Sequence, residues 1–260
     1  MDLGIQGKKV LITGGSKGIG FAIAKQLAIE GCDVILVSRS REDLETASST
    51  IQKESGRRVE IFPIDMSDRQ AAKKICDAFP AIDILVNNAG AIPRGSIEQL
   101  SDTVVRDSWD VKVFGYIDLC RHYLPAMRAR RQGVILNIIG AAGEMCDPNY
   151  FAGSVGNAAL IAMTKTLGSV SIEDGVRVNG INPGPVLTDR LMDSMKKRAI
   201  DRFGDASRWA EIASRMPGGR AATVEEVAAT AALLCSPLSA YTSGALINID
   251  GGLTNRRPLV

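Results

Sequence analysis

The stretch VLITGGSKGIGFAIAKQLA, residues Val10–Ala28, joins an apolar strand pattern to a helical pattern through a glycine-rich turn. Gly14, Gly18 and Gly20 lie in that turn. Such glycines permit a tight turn and let backbone N–H groups approach a pyrophosphate at the helix N-terminus, where the helix dipole favours negative charge. The strand–turn–helix context therefore predicts a dinucleotide-binding unit rather than a turn in which glycine only relieves crowding.

Strand and helix patterns alternate along the rest of the chain. The runs VILV (34–37) and DILV (83–86) belong to short segments that are apolar at successive positions, as strands covered on both faces should be. Strands that alternate with helices form a parallel sheet through right-handed crossovers. We predict an α/β fold with one doubly wound (Rossmann) sheet of about seven strands and helices on both faces. It forms a single domain, residues 1–260, whose charged segment at about 190–220 covers the substrate.

Composition argues against several classes of protein. Lys plus Arg is 31 and Asp plus Glu is 29, a formal net charge of +2, which is no basis for nucleic-acid binding. The five cysteines form no C-x-x-C pair, which predicts neither a disulfide framework nor a zinc site and favours a reducing, cytoplasmic location. No uninterrupted apolar run approaches the roughly 18 residues of a membrane span, and no signal-peptide pattern precedes the first strand.

Four motifs, in the same order along nearly the whole chain, resemble those of the short-chain dehydrogenase/reductase family. They are T-G-x-x-x-G-I-G at Thr13–Gly20, NNAG at Asn87–Gly90, NPGPVLTD at Asn182–Asp189 and IDGG at Ile249–Gly252. The resemblance implies that Asp65 bonds the adenine amine and that Asn88–Gly90 line the cofactor. It also implies that Pro183, Val186 and Thr188 hold the nicotinamide end. The predicted cofactor-binding residues are Gly14, Ser16, Lys17, Gly18, Ile19, Gly20, Ser38, Arg39, Asp65, Met66, Asn88, Ala89, Gly90, Pro183, Gly184, Val186 and Thr188.

The end of the second predicted strand favours NADP(H) over NAD(H). NAD sites place an acidic side chain there to accept from the ribose 2′-OH, whereas arginine accommodates a 2′-phosphate. This chain has Ser38 and then Arg39, and Lys17 of the glycine loop adds a second positive charge. The alternative is that both are solvated surface cations.

The usual catalytic residues are replaced. Family members move a proton with a Tyr, assisted by a Lys four residues later, a Ser about thirteen earlier and an Asn on the preceding helix. Matching the flanking segments VILNIIG and NAALIAMTKTLG puts Gly153, Asn157, Gly140 and Lys112 at these four positions. The residues four places after the four tyrosines are Cys120, Met127, Ser154 and Ala245, so the chain contains no Tyr-x-x-x-Lys. The pattern indicates a degenerate active site.

Lys112 and Tyr150 are the candidate replacements. Tyr150 lies three residues before Gly153 and either leans into the gap or packs at the start of the helix. Lys112 either points its amine into the vacated space, where desolvation lowers its pKa, or extends along its helix to solvent. In the charged segment at about 190–220, which we call the predicted lid, Lys196, Lys197 and Arg198 either contact an anionic substrate or form a solvated helix face.

Two functions stay open at this point. One is an NADP(H)-dependent oxidoreductase that acts on a carbonyl or alcohol through an altered proton path. The other is a non-catalytic nucleotide-binding module with a sensing or assembly role. The resemblance also implies a homo-oligomer, a tetramer or dimer, formed through the helices at about 102–131 and 150–170. Ala158, Ala159 and Ala162 on the second helix would allow close approach.

Overall fold

A computed structural model describes residues 2–256 and confirms the predicted seven-stranded parallel sheet. Its strand order is β3-β2-β1-β4-β5-β6-β7. The strands are β1 (Lys9–Thr13), β2 (Asp33–Ser38), β3 (Val59–Pro63), β4 (Ile84–Asn87), β5 (Gly133–Ile138), β6 (Val176–Pro183) and β7 (Leu246–Ile249). The predicted domain, 1–260, also includes Met1 and residues 257–260, which lie outside the described residues.

Ten α-helices and a π-helical segment accompany the described strands, besides short 3-10 turns. The helices are α1 (Gly18–Ile29), α2 (Arg41–Ser55), α3 (Ala71–Ala78), α4 (Asp102–Trp109), α5 (Gly115–Ala129), α6 (Ala142–Met145), α7 (Phe151–Ser171), α8 (Asp189–Phe203), α9 (Trp209–Ala213) and α10 (Val224–Cys235). The π-helical segment, Asp110–Phe114, joins α4 to α5. Within residues 2–256 no helix is long and apolar enough to cross a membrane.

The sheet is buried on both faces, which explains its continuous apolar strands. In β1, Val10 and Ile12 pack with α1, α2 and α10, whereas Leu11 between them packs with α3 and α5 on the other face. All three side chains are fully buried. Because successive strand residues point to opposite faces, a doubly covered strand must be apolar at every position.

The sequence order reverses between β1 and β4, and this reversal positions the site. From β1 the chain proceeds outward through β2 to β3, and then returns to β4 on the other side of β1. In open α/β sheets such a switch point leaves a crevice at the carboxyl ends of the strands, where ligands bind. The glycine loop follows β1, and the Asn87–Gly90 motif begins at the last residue of β4.

The long helical region predicted at 102–131 is present but is not a uniform α-helix. Its central turn, Asp110–Phe114, is π-helical, and Lys112 lies in the middle of that turn. A π turn holds one extra residue and therefore changes the direction in which its side chains point relative to an α-helix. Such turns occur often at functional sites.

Candidate active site

The glycine loop is braced by a side chain from the neighbouring strand end. Asn88 donates from Nδ2 to the carbonyl oxygens of Thr13 (3.0 Å) and Gly14 (3.1 Å). Gly14 has φ +64°, and a Cβ there would lie 2.8 Å from Asn88 Nδ2. A Cβ on Gly20 would lie only 2.2 Å from the Gly14 carbonyl oxygen. Glycine is thus required at both positions for the loop to close against the helix, and the Asn88 amide holds the loop there.

The helix that follows this loop begins without a side-chain cap. Lys17 occupies the cap position in an extended conformation, and its side chain accepts no hydrogen bond from the first turn of α1. No acidic residue lies in that first turn. In contrast, α2 is capped by Ser40, and α10 has a complete capping box formed by Thr223 and Glu226. The start of α1 therefore keeps the unsatisfied N–H groups and positive dipole end that suit a phosphate.

The two cations predicted near the end of β2 have different surroundings. Lys17 Nζ lies 2.9 Å from Asp43 Oδ2, and this hydrogen-bonded pair raises the pKa of Lys17 and lowers that of Asp43. Arg39 is exposed, and no carboxylate within residues 2–256 pairs with it. Sequence reasoning missed Asp43 because it lies five residues past Ser38, on the first turn of α2. Of these two cations, Arg39 is consequently the one without a carboxylate partner that could contact a ribose 2′-phosphate.

Asp65 and Met66 follow β3, the outermost strand beside β2, and lie at the carboxyl ends of the strands. Asp65 is exposed, and its Oδ1 accepts from the Ser67 backbone N–H and hydroxyl, both at 2.9 Å. Met66 is buried against Gly115 at the start of α5. The turn at Ser67 thus fixes the Asp65 carboxylate at the crevice without removing it from solvent.

A cleft of about 450 Å³ opens beside the crevice. It brings together Lys112, Tyr150, Gly140 and Asn157, which the sequence had grouped as one site. Five residues of the predicted cofactor set also line it, namely Ile19, Pro183, Gly184, Val186 and Thr188. Helix α8, in the segment predicted to be a substrate lid, contributes Arg190, Ser194 and Arg198.

Gly153 does not line this cleft, because the ring of Tyr150 covers it. A Cβ on Gly153 would lie 2.2 Å from Cε1 and from Cζ of Tyr150. The ring therefore occupies the space in which a larger side chain at Gly153 would begin. Burial raises the pKa of the Tyr150 phenol, and the positive charges of Arg190 and Arg94 only partly offset this effect.

Lys112 extends into the protein rather than along its helix to solvent. Its Nζ donates to the carbonyl oxygen of Ile139 at 2.5 Å, next to Gly140. The side chain passes closely over Gly90, where a Cβ would lie 2.7 Å from Lys112 Cδ. Burial, and to a lesser degree the positive charge of Arg190, lowers the pKa of Lys112 from 10.5 to about 8.

Asn157 presents an unpaired buried acceptor at the cleft. The residue is 2% exposed, and within residues 2–256 its Oδ1 has no hydrogen-bond partner. Its Nδ2 lies 3.5 Å from the Gly140 carbonyl oxygen, at the limit of a hydrogen bond. Gly140 itself has φ +136°, and a Cβ there would lie 2.9 Å from Asn157 Nδ2. An unsatisfied buried oxygen is costly, so this one is suited to accept a hydrogen bond from a ligand.

The other polar residues of this region serve mainly as supports. Glu144 accepts from Nδ2 of Asn182 (2.9 Å) and of Asn248 (2.8 Å), which ties α6 to β6 and β7. Asp147 lines the cleft but is paired with Arg94 at 2.6 Å. Cys146 and the exposed His122 do not line the cleft, and neither do Lys196 and Lys197. No cluster of possible metal ligands occurs among the described residues.

Known proteins match this chain along nearly its whole length. The family model described as enoyl-(acyl carrier protein) reductase matches residues 14–254. An uncharacterized oxidoreductase of Thermotoga maritima is 32% identical over 97% of this chain and 99% of its own length. Gluconate 5-dehydrogenase of Gluconobacter oxydans is 31% identical over 96% of both chains. L-Sorbose reductase of Gluconobacter frateurii, solved with NADPH and L-sorbose, gives a TM-score of 0.91 at 33% identity, covering 99% and 100% of the two chains.

A doubly wound parallel sheet with a glycine loop at its switch point defines a Rossmann-type protein. Within that class, this chain belongs to the short-chain dehydrogenase/reductase family. The family prediction made from the four sequence motifs is thereby confirmed.

Proposed function

We propose that this protein is an NADP(H)-dependent oxidoreductase that interconverts a carbonyl and an alcohol, with Lys112 as the proton donor. Lys112, Gly140, Gly153 and Asn157 hold the positions of the family's Asn, Ser, Tyr and Lys, and none of them keeps the family residue. The observation that carries the proposal is the Lys112 amine, which lies at the cleft wall with a pKa lowered to about 8.

The residues present fit a nicotinamide dinucleotide phosphate. The uncapped start of α1 suits the pyrophosphate, and the unpaired Arg39 suits a 2′-phosphate. We infer that Asn157 Oδ1 accepts from a ribose or substrate hydroxyl, since within residues 2–256 it has no hydrogen-bond partner. Bound NADPH supplies the hydride that reduces a carbonyl carbon. The solved relative with NADPH and L-sorbose supports the same cofactor and a carbonyl substrate for this chain.

In this proposal Lys112 delivers the proton to the carbonyl oxygen. A lysine ammonium has three N–H donors, and one of them is held by the Ile139 carbonyl. The remaining donors can stabilise the negative charge that develops on the substrate oxygen and then transfer a proton. The neutral amine that results keeps its hydrogen bond to Ile139 and regains a proton from the solvent of the cleft.

Lys112 suits this role better than Tyr150. A proton donor works best when its pKa lies near the working pH. The pKa of Lys112 is shifted toward neutrality, whereas that of Tyr150 is shifted away from it. We assign to Tyr150 the packing role of filling the space beside Gly153.

The proposal is tested by incubating the purified protein with NADPH and a broad panel of ketones and aldehydes. We expect loss of NADPH absorbance above a no-protein control, with formation of the alcohol. Tight NADPH binding without turnover of any panel member would favour the alternative, a non-catalytic nucleotide-binding module.

The cofactor preference gives a further prediction. We expect NADPH to bind more tightly than NADH, and Arg39→Ala to reduce that preference about 10- to 150-fold, since a charge-assisted hydrogen bond contributes about 1.5–3 kcal/mol. Isothermal titration with both cofactors at equal ionic strength measures it. Arg58→Ala is the matched control, because Arg58 precedes β3 and so lies at the amino ends of the strands, away from the glycine loop. An unchanged preference in Arg39→Ala would refute the assignment.

We also propose a homo-oligomer, a dimer or tetramer. On α7, Val155 is 42% exposed and the small residues Ala158, Ala159 and Ala162 are also exposed. Phe114, in the π-helical segment packed beside α7, is 49% exposed. We expect light scattering at micromolar concentration to give at least a dimer and Ala159→Arg to dissociate it. Ser49→Arg, on the exposed side of α2, should leave the mass unchanged. A monomeric wild-type protein would contradict this proposal.

A further inference from the structure

Helix α8 carries a row of arginines along the cleft and the adjoining pocket, which we call the α8 arginine ladder: Arg190, Arg198 and Arg202. Arg190, Ser194 and Arg198 line the cleft, and their four-residue spacing places them on one face of α8. Arg198 and Arg202 also line the adjoining pocket, together with Arg215.

The ladder is not neutralised by the protein. Nine other arginines form ion pairs with carboxylates, among them Arg94 of the same cleft. Throughout residues 2–256, no carboxylate pairs with Arg190, Arg198 or Arg202. Arg190 donates to the Ile92 carbonyl at 2.7 Å, which fixes its position but leaves its charge. Arg198 and Arg202 are like charges four residues apart, an arrangement that destabilises a helix.

Positive charge is concentrated around this cleft. Six basic side chains line the cleft and the adjoining pocket (Arg94, Lys112, Arg190, Arg198, Arg202 and Arg215), against two acidic ones (Asp147 and Asp201). The whole chain has a formal net charge of only +2. Charge of one sign in a cleft focuses the electrostatic potential and attracts ligands of the opposite sign.

The ladder spans a distance that constrains the ligand. Arg190 lies near the reacting end, because its positive charge acts on both Lys112 and Tyr150. Arg198 follows eight residues later, about 12 Å farther along the helix axis. The cleft wall also includes the apolar side chains of Leu191 and Met145.

On the basis of the proposed reductase function, we propose that the substrate carries an anionic group, a carboxylate or a phosphate, at the end remote from its carbonyl. Arg198 binds that group at the outer end of the cleft, and Arg190 lies beside the reacting end. The charge of Arg198 is then neutralised by the substrate rather than by the protein. A neutral analogue makes no such ion pair and is expected to bind more weakly.

The test measures ligand binding instead of turnover. Isothermal titration of the NADPH-saturated protein compares three six-carbon alcohols that NADPH cannot reduce: gluconate with a carboxylate, glucitol 6-phosphate with a phosphate, and neutral glucitol. Arg198→Gln removes the cation of the outer cleft. Lys197→Gln is the matched control, since it removes one positive charge from the adjacent, exposed position that does not line the cleft. All titrations use one ionic strength.

We expect at least one anionic probe to bind about tenfold or more tightly than glucitol, the gain of one charge-assisted contact. The probe that binds more tightly identifies the acidic group. Arg198→Gln should abolish this preference, and Lys197→Gln should preserve it. Equal affinity for glucitol and both anions, equal losses in the two variants, or no anion binding at millimolar concentration would each overturn the proposal. An inactive protein that still shows the preference would count against the reductase function alone.

Discussion

Replacing Lys112 by Met is expected to lower NADPH-dependent carbonyl reduction by about 10²–10⁴-fold, the usual contribution of general acid catalysis. Methionine keeps a long apolar chain that can pack over Gly90 but has no proton to donate. Titration with NADPH should still show binding, because the glycine loop and Arg39 are unchanged. Steady-state rates on any ketone that the wild-type protein reduces provide the measurement.

The pH profile of the same reaction distinguishes a proton donor from a structural residue. Only the ammonium form of Lys112 donates, and its pKa is lowered from 10.5 to about 8. The wild-type rate of reduction should therefore be level below pH 8 and fall about tenfold per pH unit above it, as expected for a single acid. The residual rate of Lys112→Met should lack this step.

Two further variants act as controls. Lys112→Arg keeps the positive charge, but its guanidinium holds its proton too tightly to serve as an acid, so we expect the rate to stay low. Tyr150→Phe keeps the ring beside Gly153 and removes only the hydroxyl, so we expect a rate close to wild type. A Lys112→Met variant with undiminished turnover would refute Lys112 as donor. A collapse in Tyr150→Phe would assign the proton to the phenol instead.

The effect of Gly153→Ala on the free energy of unfolding is expected to depend on residue 150. The substitution should destabilise the protein when residue 150 is Tyr and stabilise it when residue 150 is Ala. In the wild-type protein the new Cβ would lie 2.2 Å from two ring carbons of Tyr150, which forces the ring to move. Such overpacking costs about 1–3 kcal/mol in the free energy of unfolding. Without the ring, alanine should stabilise the helix by about 0.5–1 kcal/mol, because glycine loses more conformational freedom on folding.

Urea unfolding of four proteins measures this coupling: wild type, Gly153→Ala, Tyr150→Ala and the double variant, all at one protein concentration. We expect Gly153→Ala to destabilise the wild-type protein and to stabilise the Tyr150→Ala protein. Equal effects of Gly153→Ala in both backgrounds would show that the ring does not occupy the space beside Gly153.

The sheet and its order of elements could be predicted because they depend on patterns that are local in sequence. Val10, Leu11 and Ile12 are apolar in succession since both faces of β1 are covered, and the glycines of the loop are required by close backbone approaches. Thr223 and Glu226, three residues later, form the capping box at the start of α10. In each case a few adjacent residues carry the whole signal.

The contacts within the site could not be predicted in the same way, because they depend on where side chains from distant segments point. The pairing of Lys17 with Asp43 joins the glycine loop to α2, and no spacing rule connects these two residues. The sequence left two directions open for Lys112, and the π turn together with the Ile139 carbonyl decides between them. The vacancy expected at Gly153 is filled by the ring of Tyr150.

Transfer of hydride from NADPH to a carbonyl carbon distinguishes a reductase from a non-catalytic nucleotide-binding module. NADPH carrying deuterium at the transferable C4 position is incubated with the wild-type protein and the ketone panel, and the products are examined by mass spectrometry. We expect the wild-type protein to form an alcohol that carries one deuterium on the former carbonyl carbon, and Lys112→Met to form much less of it. Tight NADPH binding with no deuterated alcohol from any ketone or aldehyde would contradict the proposed reductase function and leave a protein that binds the nucleotide without using it.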